Sequence, residues 1–430
     1  MLNETALIFI LVKISLLKKI RRRIYTLSKK TGDRFGFDLP YFVENGFWVV
    51  LSQVVQMGAA FAASVVFARY LTKETFGQYQ LVVSILGLLA LFSYPGMAIS
   101  ILRSVAKGFD YSYVTAARFS FYRTLLTIPI FMGLALWYYF KDNHQLALVF
   151  AAAGMLFAFI HGIDKWSSYW KAKEKFDRSA KQEMIQSIVL YSFLILAAIY
   201  YSQHIVVICG VYLMVYSGFN VLWHFGAKRS IKDRKEDEDC IPYGKYMTGM
   251  TILTGLILYF DKIVIGFFDL KMLAVFGIAI KLFDIFKQLL KSFYSVSSNK
   301  FVKKDVTIGP KKVIMLFMIG VVISFILYFI SEPFIVYFYT DQYLEAVRVF
   351  KKLVFALPFV FVSPLFSYKA NALKEKGKIA HTYVTVPIAA IVLSVLVFII
   401  TKNAEYFIIT KVYVMQIAYF FVLVPLVNRT

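Results

Sequence analysis

Apolar runs of about twenty residues recur from near position 46 to near position 427, and this recurrence constrains the chain more than any motif does. A helix rises about 1.5 Å per residue, so each run is long enough to cross a hydrocarbon core of ~30 Å. Inside lipid the backbone must satisfy its own hydrogen bonds, and segments of this length do so as helices. Hydrophobic residues make up 60% of the 430 positions and charged residues only 17%. A soluble domain of that size could not cover so much apolar surface. The expected fold is therefore all-α, a polytopic integral membrane protein with about twelve transmembrane helices.

The windows fall at 46–71, 79–103, 120–140, 145–168, 183–202 and 205–226, then at 245–268, 272–293, 312–331, 349–369, 379–401 and 404–427. Lysine and arginine sit mostly in alternate gaps between them. The gap at 171–182 carries Lys171, Lys173, Lys175, Arg178 and Lys181, and that at 227–245 carries Lys228, Arg229, Lys232, Arg234, Lys235 and Lys245. Lys300, Lys303, Lys304, Lys311 and Lys312 fill the next even gap, and Lys369, Lys374, Lys376 and Lys378 the one after. The odd gaps hold little beyond Lys73, Lys141, Lys271 and Lys402. By the positive-inside rule both termini should be cytoplasmic. The net charge of +23 is thus a membrane-topology signal, and no nucleic acid partner is implied.

Four segments follow: a basic leader over 1–40, a six-helix half over 41–226, a charged linker over 227–244 and a second six-helix half over 245–430. In the leader, Leu7 to Leu17 is too short to span, and Lys18, Lys19, Arg21, Arg22 and Arg23 come after it, the reverse of a signal peptide. An interfacial helix on an anionic leaflet fits that order, and a disordered basic leader is the alternative. Repeated halves with a site between them are a transporter arrangement.

Ionisable residues inside a span are costly and so informative. In the eighth window Lys281, Asp284, Lys287, Gln288, Lys291, Ser295, Ser298 and Asn299 share one face of a helix, with Leu282, Phe283, Ile285, Phe286, Leu289, Leu290 and Phe293 around the remainder. Such a face turns to a water-filled cavity or to partner charges, among them a Lys281–Asp284 ion pair; an interfacial helix is the third reading. The seventh window carries Thr248, Thr251, Thr254, Gly255, Asp261 and Lys262 on one side, where the last two are either functional or interface anchors. Gln53 and Gln56 share a face of the first window with Ala60 and Ser64, suited to a lumen or to close packing. Pro95 and Gly96 mark a bend in the second window. Arg103 and Arg123 stand near the inner surface, where a long basic side chain snorkels. A cavity lined by cations would hold an anion.

The sequence carries no pattern for a P-loop, a serine-nucleophile elbow or a metal centre; its five histidines are scattered, and Cys209 and Cys240 make no disulfide framework. No catalytic residue, metal or cofactor is expected.

Several stretches resemble the Wzx-type oligosaccharide flippases of the multidrug/oligosaccharidyl-lipid/polysaccharide exporter superfamily. They are Phe67 to Tyr79 with Phe76-Gly77-Gln78-Tyr79, Tyr94-Pro95-Gly96-Met97 followed by Arg103, Tyr169-Trp170-Lys171-Ala172, and Tyr259-Phe260-Asp261-Lys262 through Gly266 to Ala279. Glu332-Pro333-Phe334, Tyr343-Leu344-Glu345-Ala346 and Asn371 to Lys378 complete the series. Lys262, Ala274 and Phe276 depart from the pattern, as does Thr340-Asp341. The resemblance implies a flippase in the bacterial cytoplasmic membrane that carries an undecaprenyl-pyrophosphate-linked oligosaccharide between leaflets for O-antigen or capsule synthesis. Its partners would be the lipid-linked oligosaccharide, the bilayer, and the polysaccharide polymerase with other assembly proteins. Lys281, Lys287, Lys291, Arg103, Arg123, Gln53 and Gln56 are the candidate substrate-binding residues. Asp261 and Asp284 are the candidates for proton or sodium coupling. A multidrug exporter of the same fold and an integral-membrane polymerase or transferase are the competing readings.

Overall fold

The computed structural model describes residues 39–303, 310–363 and 384–423, and within these every ordered element is helical. The basic leader and the Asn371 to Lys378 stretch lie outside the described residues. We number the helices α1 (Leu39–Tyr70), α2 (Lys73–Leu89), α3 (Met97–Ala106), α4 (Ser112–Thr124), α5 (Ile128–Phe140), α6 (His144–Phe157), α7 (Trp166–Ala172), α8 (Phe176–Tyr200) and α9 (Ile205–Arg229). Then come α10 (Cys240–Phe268), α11 (Leu270–Lys303), α12 (Pro310–Tyr339), α13 (Leu344–Leu353), α14 (Val386–Thr401) and α15 (Ala404–Leu423).

Each of the twelve apolar windows holds helix among the described residues. Seven continuous helical stretches are long and apolar enough to cross a membrane, and α10, bent by 50° near its middle, makes an eighth. The charged α11 fails a purely hydropathic test although it is 34 residues long. The connection between the halves is shorter than the sequence suggests: α9 runs to Arg229 and α10 starts at Cys240, so only 230–239 is irregular.

The turns at one face of the bundle are tight and self-satisfied. Thr72 caps α2 by accepting a hydrogen bond from the Thr75 amide at 3.1 Å, and Asn143 caps α6 by accepting from Leu146 at 3.1 Å. Lys402 closes α14 in a left-handed conformation (φ 53°), its amide donating to Phe398 at 2.8 Å. Such caps satisfy amides and carbonyls that a helix end leaves open.

The expected bend in the second window is a full break. One turn of 3₁₀ helix (Ala90–Ser93) ends at Tyr94, which adopts φ 54°, and Pro95 then restarts the chain toward α3. The fourth window is interrupted too, by a π-helical turn over Ala158–Gly162 between α6 and α7. The sequence periodicity did not indicate it. Gly162 is required there, because a Cβ would press into the Phe121 backbone of α4.

The halves meet along two seams. In the first, α2 and α3 pack against α10 and α11. Gly77 abuts the Leu270 carbonyl, the Gly96 amide donates to Thr248 Oγ1 at 3.0 Å, and Ser100 donates to the Cys240 carbonyl. Ser104 donates to Asp237 at 2.7 Å, and this bond holds the Asp237 carboxyl below the usual carboxylate range. The second seam joins α1 to α11 and α12 only near the end of α1 that carries Arg69. There Phe61 packs on the rings of Phe334, Phe338 and Tyr339, and Ser64 meets the Tyr339 hydroxyl at 3.0 Å. The earlier part of α1 packs instead along α8.

Candidate functional site

The polar face of α11 supplies the first element. Lys281 projects from it across the second seam, and its ammonium donates to the Ala60 carbonyl of α1 at 2.6 Å. This contact replaces the Lys281–Asp284 ion pair considered from sequence: among the described residues, no carboxylate pairs with Lys281. Counting from the ends of both helices, the contact lies roughly 15 Å below the tight-turn face. A half-buried cation held by a single carbonyl is poorly compensated, so an anion entering between α1 and α11 gains more there than at a neutralised site.

Asp284 and Lys287 lie on the same helix, half-buried, and the side chain of Lys291 lies outside the described residues. Asp261, on α10, is 2% exposed and meets the Lys411 ammonium of α15 at 2.8 Å. Lys262 and Asp284 are within electrostatic range of that same ammonium. The carboxylate considered for ion coupling is thus already neutralised by a cation that the sequence reading did not name. Its signal was present as a lone lysine inside an apolar window, the same criterion that singled out Lys281.

The other candidates are not brought to Lys281. Arg103 lies over the Tyr243 ring at 4.5 Å, at the start of α10, and Arg123 over the Phe119 ring at 5.3 Å on its own helix. Both are exposed, in keeping with snorkelling. Gln53 faces outward on α1. Gln56 donates to Ser52 Oγ at 2.8 Å, and Ser52 in turn donates to Glu183 of α8 at 2.8 Å.

Glu183 is the hub of a network that sequence reasoning missed. Besides Ser52 it accepts from Ser167 at 2.6 Å, Lys171 at 2.8 Å and Ser179 at 3.2 Å, joining α1, α7 and α8. A second unforeseen group follows the π turn, where Lys165 is 4% exposed. Its ammonium reaches Asp164 at 2.7 Å, the His161 carbonyl at 2.8 Å and Ser93 Oγ at 3.4 Å. His161, Asp164 and Lys165 recur at helical spacing, and that was the signal available. At the tight-turn face of the C-terminal half, a cavity of about 350 Å³ is lined by Glu345, Arg348, Lys402 and Glu405 among others. Glu405 there binds Arg348 at 2.8 Å and Lys352 at 2.7 Å.

Among the described residues no cluster of histidine, cysteine and carboxylate side chains has metal-binding geometry. The arrangement can hold anions between helices and move charge by rearranging ion pairs. A family model described as "Polysaccharide biosynthesis protein" matches residues 42–271. The chain belongs to that family.

No curated protein matches this polysaccharide biosynthesis protein. Among solved structures it is similar to the lipid II flippase MurJ in an inward closed conformation, at 16% identity and a TM-score of 0.62, over 90% of this chain and 88% of that one. A MOP superfamily transporter from Pyrococcus furiosus matches at 12% identity and a TM-score of 0.55, covering 89% of this chain and 94% of its own. The Vibrio cholerae MATE transporter VcmN matches at 10% identity and a TM-score of 0.54, over 90% and 96%. At these identities the likeness establishes the fold, which is that of multi-pass MOP transporters. The family places the chain in polysaccharide biosynthesis, and its fold is the one these membrane transporters share.

Proposed function

We propose that this polysaccharide biosynthesis protein is a flippase, without catalytic activity of its own, for an oligosaccharide linked through pyrophosphate to an undecaprenyl lipid. It would act in the bacterial cytoplasmic membrane with both termini in the cytoplasm, and supply repeat units for O-antigen or capsule assembly. The observation that carries this reading is Lys281: a half-buried ammonium near mid-membrane between the halves, held by one carbonyl and by no carboxylate among the described residues. A pyrophosphate headgroup supplies the missing negative charge, and its lipid tail stays in the bilayer. MurJ, one of the proteins that share this fold, is a lipid II flippase. Lys287 and Lys291 extend the cationic face along α11. Alternating access then follows from the unequal seams: the α2–α3 seam is continuous, and the α1 seam is closed only near Arg69.

The test is leaflet accessibility of a fluorescent undecaprenyl-pyrophosphate oligosaccharide in liposomes holding the purified protein. An impermeant glycosidase should consume the protected pool faster than in empty liposomes, and a Lys281→Gln/Lys287→Gln variant should lose roughly tenfold or more of that rate, about 1.4 kcal/mol of headgroup attraction. Equal rates with and without the protein, with folding confirmed, would overturn the flippase reading. A double variant as fast as the parent would overturn only the headgroup assignment.

A further inference from the structure

The group after the π turn does not enter the substrate reading, yet it has the makings of a charge switch. Asp164 lies between two bases. Its Oδ1 meets the Lys165 ammonium at 2.7 Å, and its Oδ2 faces His161 Nδ1 at 3.6 Å. The second ring nitrogen of His161, Nε2, is buried and has no hydrogen-bond partner. Buried polar atoms are rarely left unpaired, and this nitrogen has a lone pair free to take a proton. The Asp164 side chain is still 32% exposed, so the group is not sealed. A π turn holds it, and π turns in α-helices concentrate at functional sites.

The surroundings leave little else to titrate. From α4 comes Tyr113, whose hydroxyl meets His224 Nδ1 at 2.8 Å and which lies within electrostatic range of Asp164. From α9 comes Tyr216, in range of both Asp164 and Glu183. Ser93 faces the group from the 3₁₀ turn, and α6 brings the ring of Phe157, 5.0 Å from that of His161. With His161 neutral, the net charge of His161, Asp164 and Lys165 is zero.

We propose that His161 and Asp164 form a proton-binding site whose occupancy sets how firmly Lys165 holds the break in the second span, and through it the first seam. One proton moves from water to the free Nε2; a single N–H bond forms and the group gains one positive charge. Asp164 is then shared between imidazolium and ammonium, and Lys165 is held less tightly. Lys165 also holds Ser93, the residue before Tyr94 with its positive φ, and two residues later the Gly96 amide donates to Thr248 of the other half. A continuous chain of contacts therefore runs from the proton site to the seam, and a proton-dependent movement of the seam is what would make it a coupling path. This inference rests on the flippase reading only for what the movement carries; the proton-driven movement itself can be observed without substrate.

The experiment places nitroxide labels at Leu222→Cys on α9 and Met315→Cys on α12. Both positions are exposed, one on each half, and the native Cys209 and Cys240 are buried. Distances are read by double electron–electron resonance at about pH 5.5 and about pH 8. The labelled parent should shift its distance distribution between the two conditions, and His161→Gln should abolish the shift. In liposomes, the ratio of translocation rates with and without a pH gradient should fall to about one in the same variant. A parent without a pH-dependent shift, or a His161→Gln variant that shifts like the parent, overturns the proposal. If His161→Gln does not fold, His161→Asn and Ser93→Ala are read in the same way. A protein that shifts with pH but moves no lipid-linked oligosaccharide would overturn the flippase reading and leave the proton site standing.

Discussion

At the scale of single residues, the pair formed by Asp261 and Lys411 is the most exacting feature of the C-terminal half. Both charges are out of water, 3% and 11% exposed at their side chains, and 2.8 Å apart. Their attraction offsets a desolvation cost of several kcal/mol per ion, so the net worth of the pair is small while the cost of breaking it is not. Lys411→Met should destabilise the protein by about 3–5 kcal/mol, because it leaves a carboxylate buried without its cation. The double variant Asp261→Asn/Lys411→Met should recover most of that loss. Thermal unfolding in detergent reads both, and a single variant as stable as the double one would refute the account. Lys411 also shows what a sequence can disclose. That it is an ionisable residue in an apolar window is visible in the string of letters. That its partner stands on α10 is not, because helix-to-helix placement is decided by packing between segments remote in the chain. His161, Asp164 and Lys165 were legible in principle, since all three fall within five consecutive residues of one apolar window.

At the scale of elements, the contact between α2 and α11 depends on small residues. Gly77 lies where any Cβ would overlap the carbonyl oxygen of Leu270, at the turn that opens α11. A backbone atom cannot swing aside as a side chain does, so Gly77→Ala must push the two helices apart. Close approach through glycine is how helices gain contact in lipid, where no hydrophobic effect draws them together. Gly58, on α1, has nothing within 4 Å of the corresponding position. Alanine there should be neutral or stabilising by up to about 1 kcal/mol through helix propensity. We expect Gly77→Ala to cost about 1–3 kcal/mol, the usual range for overpacking, and Gly58→Ala to cost none. Chemical unfolding of the two variants side by side measures the difference, and equal stabilities would mean that the seam is looser than it looks. The helices themselves were readable from apolar run length, and the break at Tyr94 from Pro95 and Gly96. The π turn was not, because one extra residue in a helix leaves the apolar composition unchanged and is stabilised by Gly162 fitting against Phe121.

At the scale of the whole molecule, the second seam is closed by bonds of an unusual kind for a permanent interface. Arg69 Nε donates to the Phe338 carbonyl at 3.0 Å, its guanidinium also reaches the Tyr337 carbonyl, and Gln342 donates to the Ala68 carbonyl at 2.5 Å. All three end on backbone oxygens close to helix ends, and the Arg69 side chain is exposed. Each such bond is worth about 0.5–1.5 kcal/mol net, or up to ~3 where a charge takes part. Together they amount to a few kcal/mol, which is the size of gap that lets a two-state protein populate its minor form. On the flippase reading, closure at the Arg69 end is expected to be reversible, its opposite being an opening between α1 and the C-terminal half on that same face. A reporter for it exists in Ser64, which is 3% exposed and faces Tyr339 across the seam. In a Ser64→Cys background an impermeant thiol reagent should react slowly, because the native cysteines are buried and the new one is covered. Adding Arg69→Ala should speed that reaction by roughly tenfold for each ~1.4 kcal/mol of closure removed. If the rate does not change, the Phe61 ring cluster alone holds the seam, and the opening on this face must involve α11 and α12 moving together rather than α1 parting from them.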